Sequence, residues 1–154
     1  MLIERAGRAL DDPAWAGAAR SVADELLVPS VLYAPAVLAA IGVLGPGAVK
    51  AAAHITGGGI PGNLARALPG DCDAVVDRPW ERPALFDEIQ RLGDVADDEM
   101  ARVFNLGVGM VLVVSAEAAG RVVGELAGAG RPASVVGQVV EGAGDVVFDA
   151  GRRA

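Results

Sequence analysis

The sequence has one cysteine, few aromatic residues and no surplus of positive charge. The single cysteine, Cys72, cannot form an internal disulfide, and there is no cysteine cluster to bind zinc. Because Asp71 and Asp73 flank it, we expect the pKa of its thiol to be raised and do not expect a thiolate nucleophile. This use of cysteine fits a reducing cytosol, so we expect a cytoplasmic protein.

Positive charge is scarce, since 13 Lys and Arg residues stand against 20 Asp and Glu residues and give a net charge of −7. Such a chain lacks the basic surplus that nucleic acids and anionic membrane surfaces attract. The negative net charge does not exclude a small anionic substrate, because an acidic protein can still contain a locally positive site. With aromatic residues at only 4%, we expect a core of Ala, Val, Leu and Ile.

Charge is missing altogether from residues 28–49, a stretch long enough to span a bilayer. Prolines and glycines interrupt it, so we expect a turn, a buried helix of a soluble protein over Ala34–Leu44, and a loop instead. The N-terminus carries Glu4 and no long apolar run, which argues against a signal peptide.

The length of 154 residues fits one domain, and the apolar periodicity predicts helices mixed with short strands. The expected helices are 2–10, 13–27, 34–44, 60–68, 82–92 and 116–129, with a further helix starting at the acidic residues 97–99. The expected strands are 49–56, 74–76, 109–115, 133–140 and 145–148, the last two as a hairpin. A sheet covered by helices on both faces is the natural arrangement for these elements.

Three consecutive glycines, Gly57, Gly58 and Gly59, follow a predicted strand and precede a predicted helix. Backbone N–H groups at such a turn can point outward together and, with the helix dipole, bind a phosphate. A plain structural turn explains the spacing equally well. The match to the G-x-G-x-x-G pattern of dinucleotide-binding folds is weak evidence, because no repeated βα units accompany it.

Other polar residues accompany the two glycine-rich segments. Asn63 and Arg66 lie on the first turns of the predicted helix, where their side chains could add donors to a phosphate site. His54 is the only histidine, and it is either a packed residue at a strand end or a proton carrier beside the loop. In the second segment, Gly107 and Gly109 indicate a bulge or a backbone edge that a substrate can approach, with Asn105 supplying an amide.

Together these segments resemble the phosphoribosylformylglycinamidine cyclo-ligases (aminoimidazole ribonucleotide synthetases). H-I-T-G-G-G followed by N-x-x-R is similar to one family signature, and E-M-x-R-x-F-N-x-G-x-G-M is similar to another, in the family order and spacing. L-L-V-P-S-V-L-Y at 26–33 and the run at 79–93 resemble two further motifs. The resemblance covers residues 1–150 and implies the C-terminal half: a three-layer α/β/α domain with a mixed β-sheet, followed by a tail at 151–154.

The resemblance also implies the reaction. In the family, ATP phosphorylates the formyl amide oxygen of formylglycinamidine ribonucleotide, a substrate nitrogen attacks, the imidazole ring closes and phosphate leaves. ATP and magnesium bind the N-terminal half, which we expect to be missing from this chain. The chain is therefore expected to bind the phosphorylated ribonucleotide and to need an ATP-binding N-terminal half for activity. A homodimer is a further option, while nucleic-acid and membrane partners are not expected.

By resemblance, the substrate cleft is expected to contain residues from both glycine-rich segments. His54 takes the place of the motif histidine as the candidate catalytic residue, and the candidate substrate-binding residues are Gly57, Gly58, Gly59, Asn63, Arg66, Asn105, Gly107 and Gly109. The chain departs from the family pattern where Ser30 replaces threonine, Val31 arginine, Gly62 an acidic residue and Ala101 tyrosine. These departures leave open a non-catalytic module that binds a phosphorylated metabolite, or a diverged relative.

Overall fold

The computed structural model describes residues 1–149, a mixed α/β fold in which six α-helices and five β-strands are seen. The helices are α1 Val22–Leu26, α2 Ala34–Leu44, α3 Gly59–Leu64, α4 Ala84–Gly93, α5 Asp97–Val103 and α6 Ala116–Gly128. The strands are β1 Val49–His54, β2 Cys72–Val76, β3 Met110–Val114, β4 Gly137–Glu141 and β5 Val146–Phe148. The α/β class is confirmed, and the expected tail at 151–154 lies outside the described residues.

The strands are divided between two sheets, where the sequence suggested one. The first sheet is the antiparallel pair of β1 and β3. In the second sheet β2 is central, with β4 antiparallel on one side and β5 parallel on the other. This second sheet is the mixed sheet of the fold.

The expected hairpin of β4 and β5 is wrong, because β2 lies between the two strands. The carboxylate of Asp73 in β2 accepts the backbone N–H groups of Ala143, Gly144 and Asp145 at 2.7, 3.0 and 2.8 Å. A Cβ at Gly142 would lie 2.0 Å from the carboxyl carbon of Asp73. The loop after β4 is therefore held across the end of β2, and β5 pairs on the far side.

The helices expected at 2–10 and 13–27 are wrong apart from the five residues of α1. Residues 2–6 form only turns. Gly7 and Gly17 adopt φ angles of 66° and 81°, in the left-handed region, which ends any right-handed helix that includes them. The helical segment begins only after Ser21, which forms a capping box at its start.

One hydrophobic cluster joins the two sheets through α3. Its buried members are Ala53, Ile55, Ile60, Leu64, Ala74, Val76 and Val111. They are all Ala, Val, Leu or Ile, as the scarcity of aromatic residues predicted, although Met100 of α5 is also fully buried elsewhere in the molecule. Since Ile60 and Leu64 anchor α3 in this cluster, the glycine loop that precedes α3 is held in a fixed place.

The helix α2 has the predicted bounds and ends at Gly45, whose φ is 86°. The expectation that it is buried is wrong, because Ala36 and Ala40 are its only buried residues and Leu38 is 67% exposed. It packs against α6, and three of its larger side chains, Leu38, Ile41 and Val43, are exposed. None of the helices within residues 1–149 is both long and apolar enough to cross a bilayer.

Candidate functional site

A cavity of about 280 Å³ opens beside the end of β1. Its walls come from three segments that are far apart in the sequence: the residues before α2, the end of β1 and the residues before β3. The lining consists of Pro29, Ser30, Val31, Tyr33, His54, Ile55, Thr56, Asn105 and Gly109. Each of the three segments belongs to a different motif singled out from the sequence.

Backbone pairing brings the two glycine-rich segments together. His54 is paired with Met110 in the first sheet, and the N–H of Ile55 donates to the carbonyl of Gly109 at 2.9 Å. Three predicted site residues, His54, Asn105 and Gly109, therefore line one cavity. Whether these residues bind a substrate stays a prediction.

The three glycines of the loop have different surroundings. A Cβ at Gly59 would lie 1.9 Å from the carbonyl oxygen of Ala101, whereas a Cβ at Gly57 would meet nothing within 4 Å. The N–H of Gly59 already donates to the carbonyl of Thr56 at 3.1 Å. Gly59 thus allows α3 to pack on the backbone of α5, and only Gly57 combines glycine with open space for a ligand. Whether the backbone of Gly57, Gly58 and Gly59 binds an anion stays a prediction, and Gly57 is the position with the most open surroundings.

Gly58 has a φ of 98°, a left-handed conformation that favours glycine, and a Cβ there would be in ordinary contact with its neighbours. Its role in the loop is therefore conformational. The helix that follows is only six residues long and continues as a 3₁₀ turn, so its dipole adds little to anion binding.

Asn63 and Arg66 stabilise the glycine loop through side-chain hydrogen bonds. Asn63 is 4% exposed, and its Nδ2 donates to the carbonyls of Gly59 at 2.8 Å and Gly57 at 3.2 Å. Its Oδ1 accepts a hydrogen bond from Arg66 at 2.8 Å. Neither side chain is part of the cavity lining, and whether they add donors for a ligand stays a prediction.

The second glycine segment forms a tight turn. The Oδ1 of Asn105 accepts the N–H of Gly107 at 3.1 Å, and Leu106 has a φ of 49°, unusual for a residue with a side chain. The indole of Trp80 donates to the carbonyl of Leu106 at 2.9 Å. A Cβ at Gly107 would lie 2.5 Å from Pro83, so Gly107 packs there and not in the cavity.

Tyr33 is one of the cavity residues to which the sequence interpretation assigned no role in the site. Its ring contacts His54, with the two ring centroids 5.9 Å apart, and it lies directly against Gly109. The available signal was its place at the end of the L-L-V-P-S-V-L-Y motif, which had no assigned role. The contact joins residues far apart in the chain, so spacing alone does not reveal it.

Among residues 1–149, the cavity lining contains no carboxylate, lysine or arginine. Ser30, Thr56 and Asn105 can offer uncharged donors, and the imidazole of His54 can donate or accept a hydrogen bond. Val31, where the family pattern has arginine, is part of the lining. That departure removes a cation from the cavity itself.

Metal-binding and thiol chemistry have little support in the described part of the chain. Within residues 1–149 there is no group of three His, Cys, Asp or Glu side chains that could hold a metal ion. Partial burial first, and then the hydrogen bond to Asp71 at 3.6 Å, raise the pKa of the Cys72 thiol. The direction is the predicted one, and it disfavours a thiolate.

A larger cavity, of about 930 Å³, is bounded by both sheets and α6. Its walls include Val37, Trp80, Val113, Val122 and Val139, and most of the other lining side chains are also apolar. His54, Thr56 and Asn105 do not reach it. Arg78 and Arg131 line the larger cavity, whereas the smaller cavity is the one at which all three sequence motifs meet. The smaller cavity is therefore the candidate site.

Comparison with known proteins points to one family. A family model described as "AIR synthase related protein, C-terminal domain" matches residues 2–150. A phosphoribosylformylglycinamidine cyclo-ligase of Sorangium cellulosum (strain So ce56) is 46% identical over 130 residues, which are 84% of this chain and 37% of the relative. A chloroplastic cyclo-ligase of Arabidopsis thaliana is 42% identical over 144 residues, 93% of this chain and 36% of that protein.

A third relative, the cyclo-ligase of Myxococcus xanthus (strain DK1622), is 44% identical over 130 residues, again 84% of this chain and 37% of the relative. The chain therefore spans little more than a third of the length of these curated relatives.

Proposed function

This chain belongs to the AIR synthase related protein, C-terminal domain family, and we propose that it is the substrate-binding domain of a phosphoribosylformylglycinamidine cyclo-ligase. The observation that carries the proposal is the convergence of three separate motifs on one cavity beside His54. A complementary half, on the same polypeptide or on another, binds ATP and magnesium. A cytoplasmic location is part of the same proposal, since the single cysteine fits a reducing compartment.

The proposed reaction closes the imidazole ring of aminoimidazole ribonucleotide in purine biosynthesis. ATP phosphorylates the formyl amide oxygen, a substrate nitrogen attacks the activated carbon, and phosphate leaves as the ring closes. The attacking nitrogen must lose a proton, and the imidazole of His54 is suited to accept it. Thr56 and Asn105 line the cavity and can donate hydrogen bonds to the ribonucleotide. Gly57 is not part of the lining, but it directly follows Thr56, and its open side allows a phosphate to approach the backbone.

The second candidate function is a non-catalytic module that binds a phosphorylated metabolite, or a diverged relative with another ligand. Within the described residues 1–149, the cavity lining has no lysine or arginine, and Val31 stands at the arginine position of the family pattern. Both observations favour this alternative. Such a module would keep the cavity but bind an anion less tightly than a cationic site does.

Complementation tests the leading proposal. The chain is mixed with the ATP-binding half of a family cyclo-ligase, formylglycinamidine ribonucleotide, ATP and magnesium, and formation of aminoimidazole ribonucleotide is measured. We expect product from the mixture and none from the chain alone. His54→Ala should abolish the product, while Glu125→Ala on the exposed face of α6 should not.

The proposal is overturned if the chain and the ATP-binding half assemble, as shown by sedimentation, and the assembled pair forms no aminoimidazole ribonucleotide. Calorimetry then separates the two candidate functions. Ribonucleotide binding without any product formation supports the non-catalytic module, whereas binding together with product formation supports the cyclo-ligase.

A further inference from the structure

Tyr33 reaches the cavity from outside the two glycine-rich segments. Its backbone is fixed where α2 begins, because its carbonyl accepts the N–H of Val37 at 3.0 Å and a proline lies in the first turn of the helix. The side chain is half-buried and lines the cavity beside His54 and Gly109. The ring is therefore constrained both by the start of the helix and by the cavity wall.

Gly109 leaves the space in which the Tyr33 ring lies. A Cβ at this position would be 1.9 Å from Oη and 2.7 Å from Cζ of Tyr33, far closer than any van der Waals contact. The φ of Gly109 is not in the left-handed region, so the glycine is needed for space and not for backbone conformation. Its carbonyl accepts the N–H of Ile55 at 2.9 Å, which keeps the backbone close to the ring.

The Tyr33 ring in turn contacts the imidazole of His54. The ring centroids are 5.9 Å apart and the ring planes are inclined at 58°, a tilted arrangement that aromatic pairs favour. Within residues 1–149 the His54 side chain makes no hydrogen bond or ion pair, and it is exposed on its other side. The contact with Tyr33 is thus the main restraint on the orientation of the imidazole.

We propose that Tyr33 is a positioning residue, whose ring, seated against Gly109, fixes the orientation of the His54 imidazole at the wall of the cavity. The inference rests on the proposed function only in taking this cavity as the ligand site. A side chain that is already ordered loses less conformational entropy when a ligand binds. Tyr33 therefore strengthens ligand binding and aligns His54 without itself exchanging a proton.

Nuclear magnetic resonance of the full chain tests the ring contact directly, because Tyr33 is the only tyrosine and His54 the only histidine. We expect Overhauser effects between the two rings and a ring-current shift of the imidazole protons. Tyr33→Phe should retain both signals. Tyr33→Leu should abolish both, and Gly109→Ala should remove the ring-current shift although it alters neither ring.

The proposal is overturned if Tyr33→Leu leaves the imidazole resonances of the folded protein unchanged. This variant decides the question even where Gly109→Ala fails to fold, since it adds no atom to the cramped space at residue 109. Retained dispersion of the methyl resonances of β3 establishes folding in each variant.

A second measurement uses formylglycinamidine ribonucleotide as the probe. We expect Tyr33→Leu to weaken its binding about tenfold and Tyr33→Phe to stay within about twofold of the unaltered chain. Equal binding by all three proteins contradicts a positioning role. If the unaltered chain binds no ribonucleotide, the proposed function fails, and the resonance comparison still decides the role of Tyr33.

Discussion

Gly57 and Gly59 are two positions apart in one loop, and a methyl group added to each would meet different surroundings. We expect Gly59→Ala to lower the free energy of unfolding by more than about 2 kcal/mol, because the φ of 60° and the close carbonyl of Ala101 both oppose a side chain. Gly57→Ala is the matched control and should stay within about 0.5 kcal/mol. Urea denaturation measures both, and equal losses would contradict this description of the loop.

Gly57→Ala also separates folding from binding. Since the space beside Gly57 is open, an added methyl group there is tolerated by the fold but obstructs a phosphate that approaches the backbone. We expect weaker ribonucleotide binding at unchanged stability, measured by calorimetry. Unchanged binding would show that the phosphate does not approach the backbone at Gly57.

Val31 is the lining residue whose replacement should strengthen ribonucleotide binding. Val31→Arg places a cation at the wall of a cavity to which residues 1–149 contribute none, and Val31 is 43% exposed, so the charge stays hydrated. We expect ribonucleotide binding to strengthen about tenfold, or about 1.4 kcal/mol. Val31→Gln is the uncharged control, and an equal gain from both variants would show that charge is not the cause.

The family resemblance, and not a local pattern, placed residues from both glycine-rich segments in one cleft, and their binding role stays a prediction. His54, Asn105 and Gly109 were assigned to one cleft, and they line one cavity. The packing role of Gly59 could not be predicted, because its neighbour Ala101 is 42 residues away. The same applies to Tyr33, whose contact with Gly109 joins two separate motifs.

At the scale of helices and strands, local signals decided what could be predicted. The bounds of α2 follow from Pro35 in its first turn and from the Gly-Pro-Gly sequence after it. In α4 the periodicity of Leu85, Ile89 and Leu92 predicted the helix, yet Glu88 is its most buried residue. Glu88 is neutralised by Arg91 and by Arg8 from the N-terminal segment, a long-range contact that no periodicity indicates.

The crossing of β4 to β5 over β2 depends on the ionised carboxylate of Asp73. The N–H of Asp145, followed by those of Ala143 and Gly144, lowers the pKa of this carboxyl below its ordinary value of 3.8. A lowered folded-state pKa stabilises the fold above the ordinary value, and this contribution is lost as the pH falls through the lowered pKa.

We therefore expect Asp73→Asn to reduce stability at neutral pH, with a difference from the unaltered chain that shrinks as the pH falls below about 3.8. Asp71→Asn removes the same charge from the neighbouring position without losing the three N–H contacts, and should have the smaller effect. Urea denaturation at a series of pH values measures both. A difference that is constant with pH would exclude a role for the ionised carboxylate.

On the scale of the whole molecule, apolar side chains are exposed before and along α2. Leu27, Leu32 and Leu38 are 78%, 76% and 67% exposed. An apolar surface of this kind is typical of an interface, and the complementary half of a cyclo-ligase is the partner that the proposed function supplies. Without that partner, we expect copies of the chain to associate through it.

Sedimentation velocity over a range of concentrations measures this association. Leu38→Gln should shift the chain towards monomer, because it replaces an exposed apolar side chain on α2. Val147→Thr is the control, because it also replaces an exposed apolar side chain by a polar one, but on β5. It should leave the association unchanged. A chain that is monomeric at every concentration would contradict the expectation.

The proposed function depends on which of the two cavities receives the ribonucleotide. The most direct test is a titration of formylglycinamidine ribonucleotide into the isotopically labelled chain, with the backbone amide resonances followed one by one. We predict that the shifts concentrate at residues 30–33, 54–58 and 105–109, the three segments around His54. Shifts concentrated instead at residues 134–139, in the larger cavity, or no shifts at saturating ligand, would contradict the account.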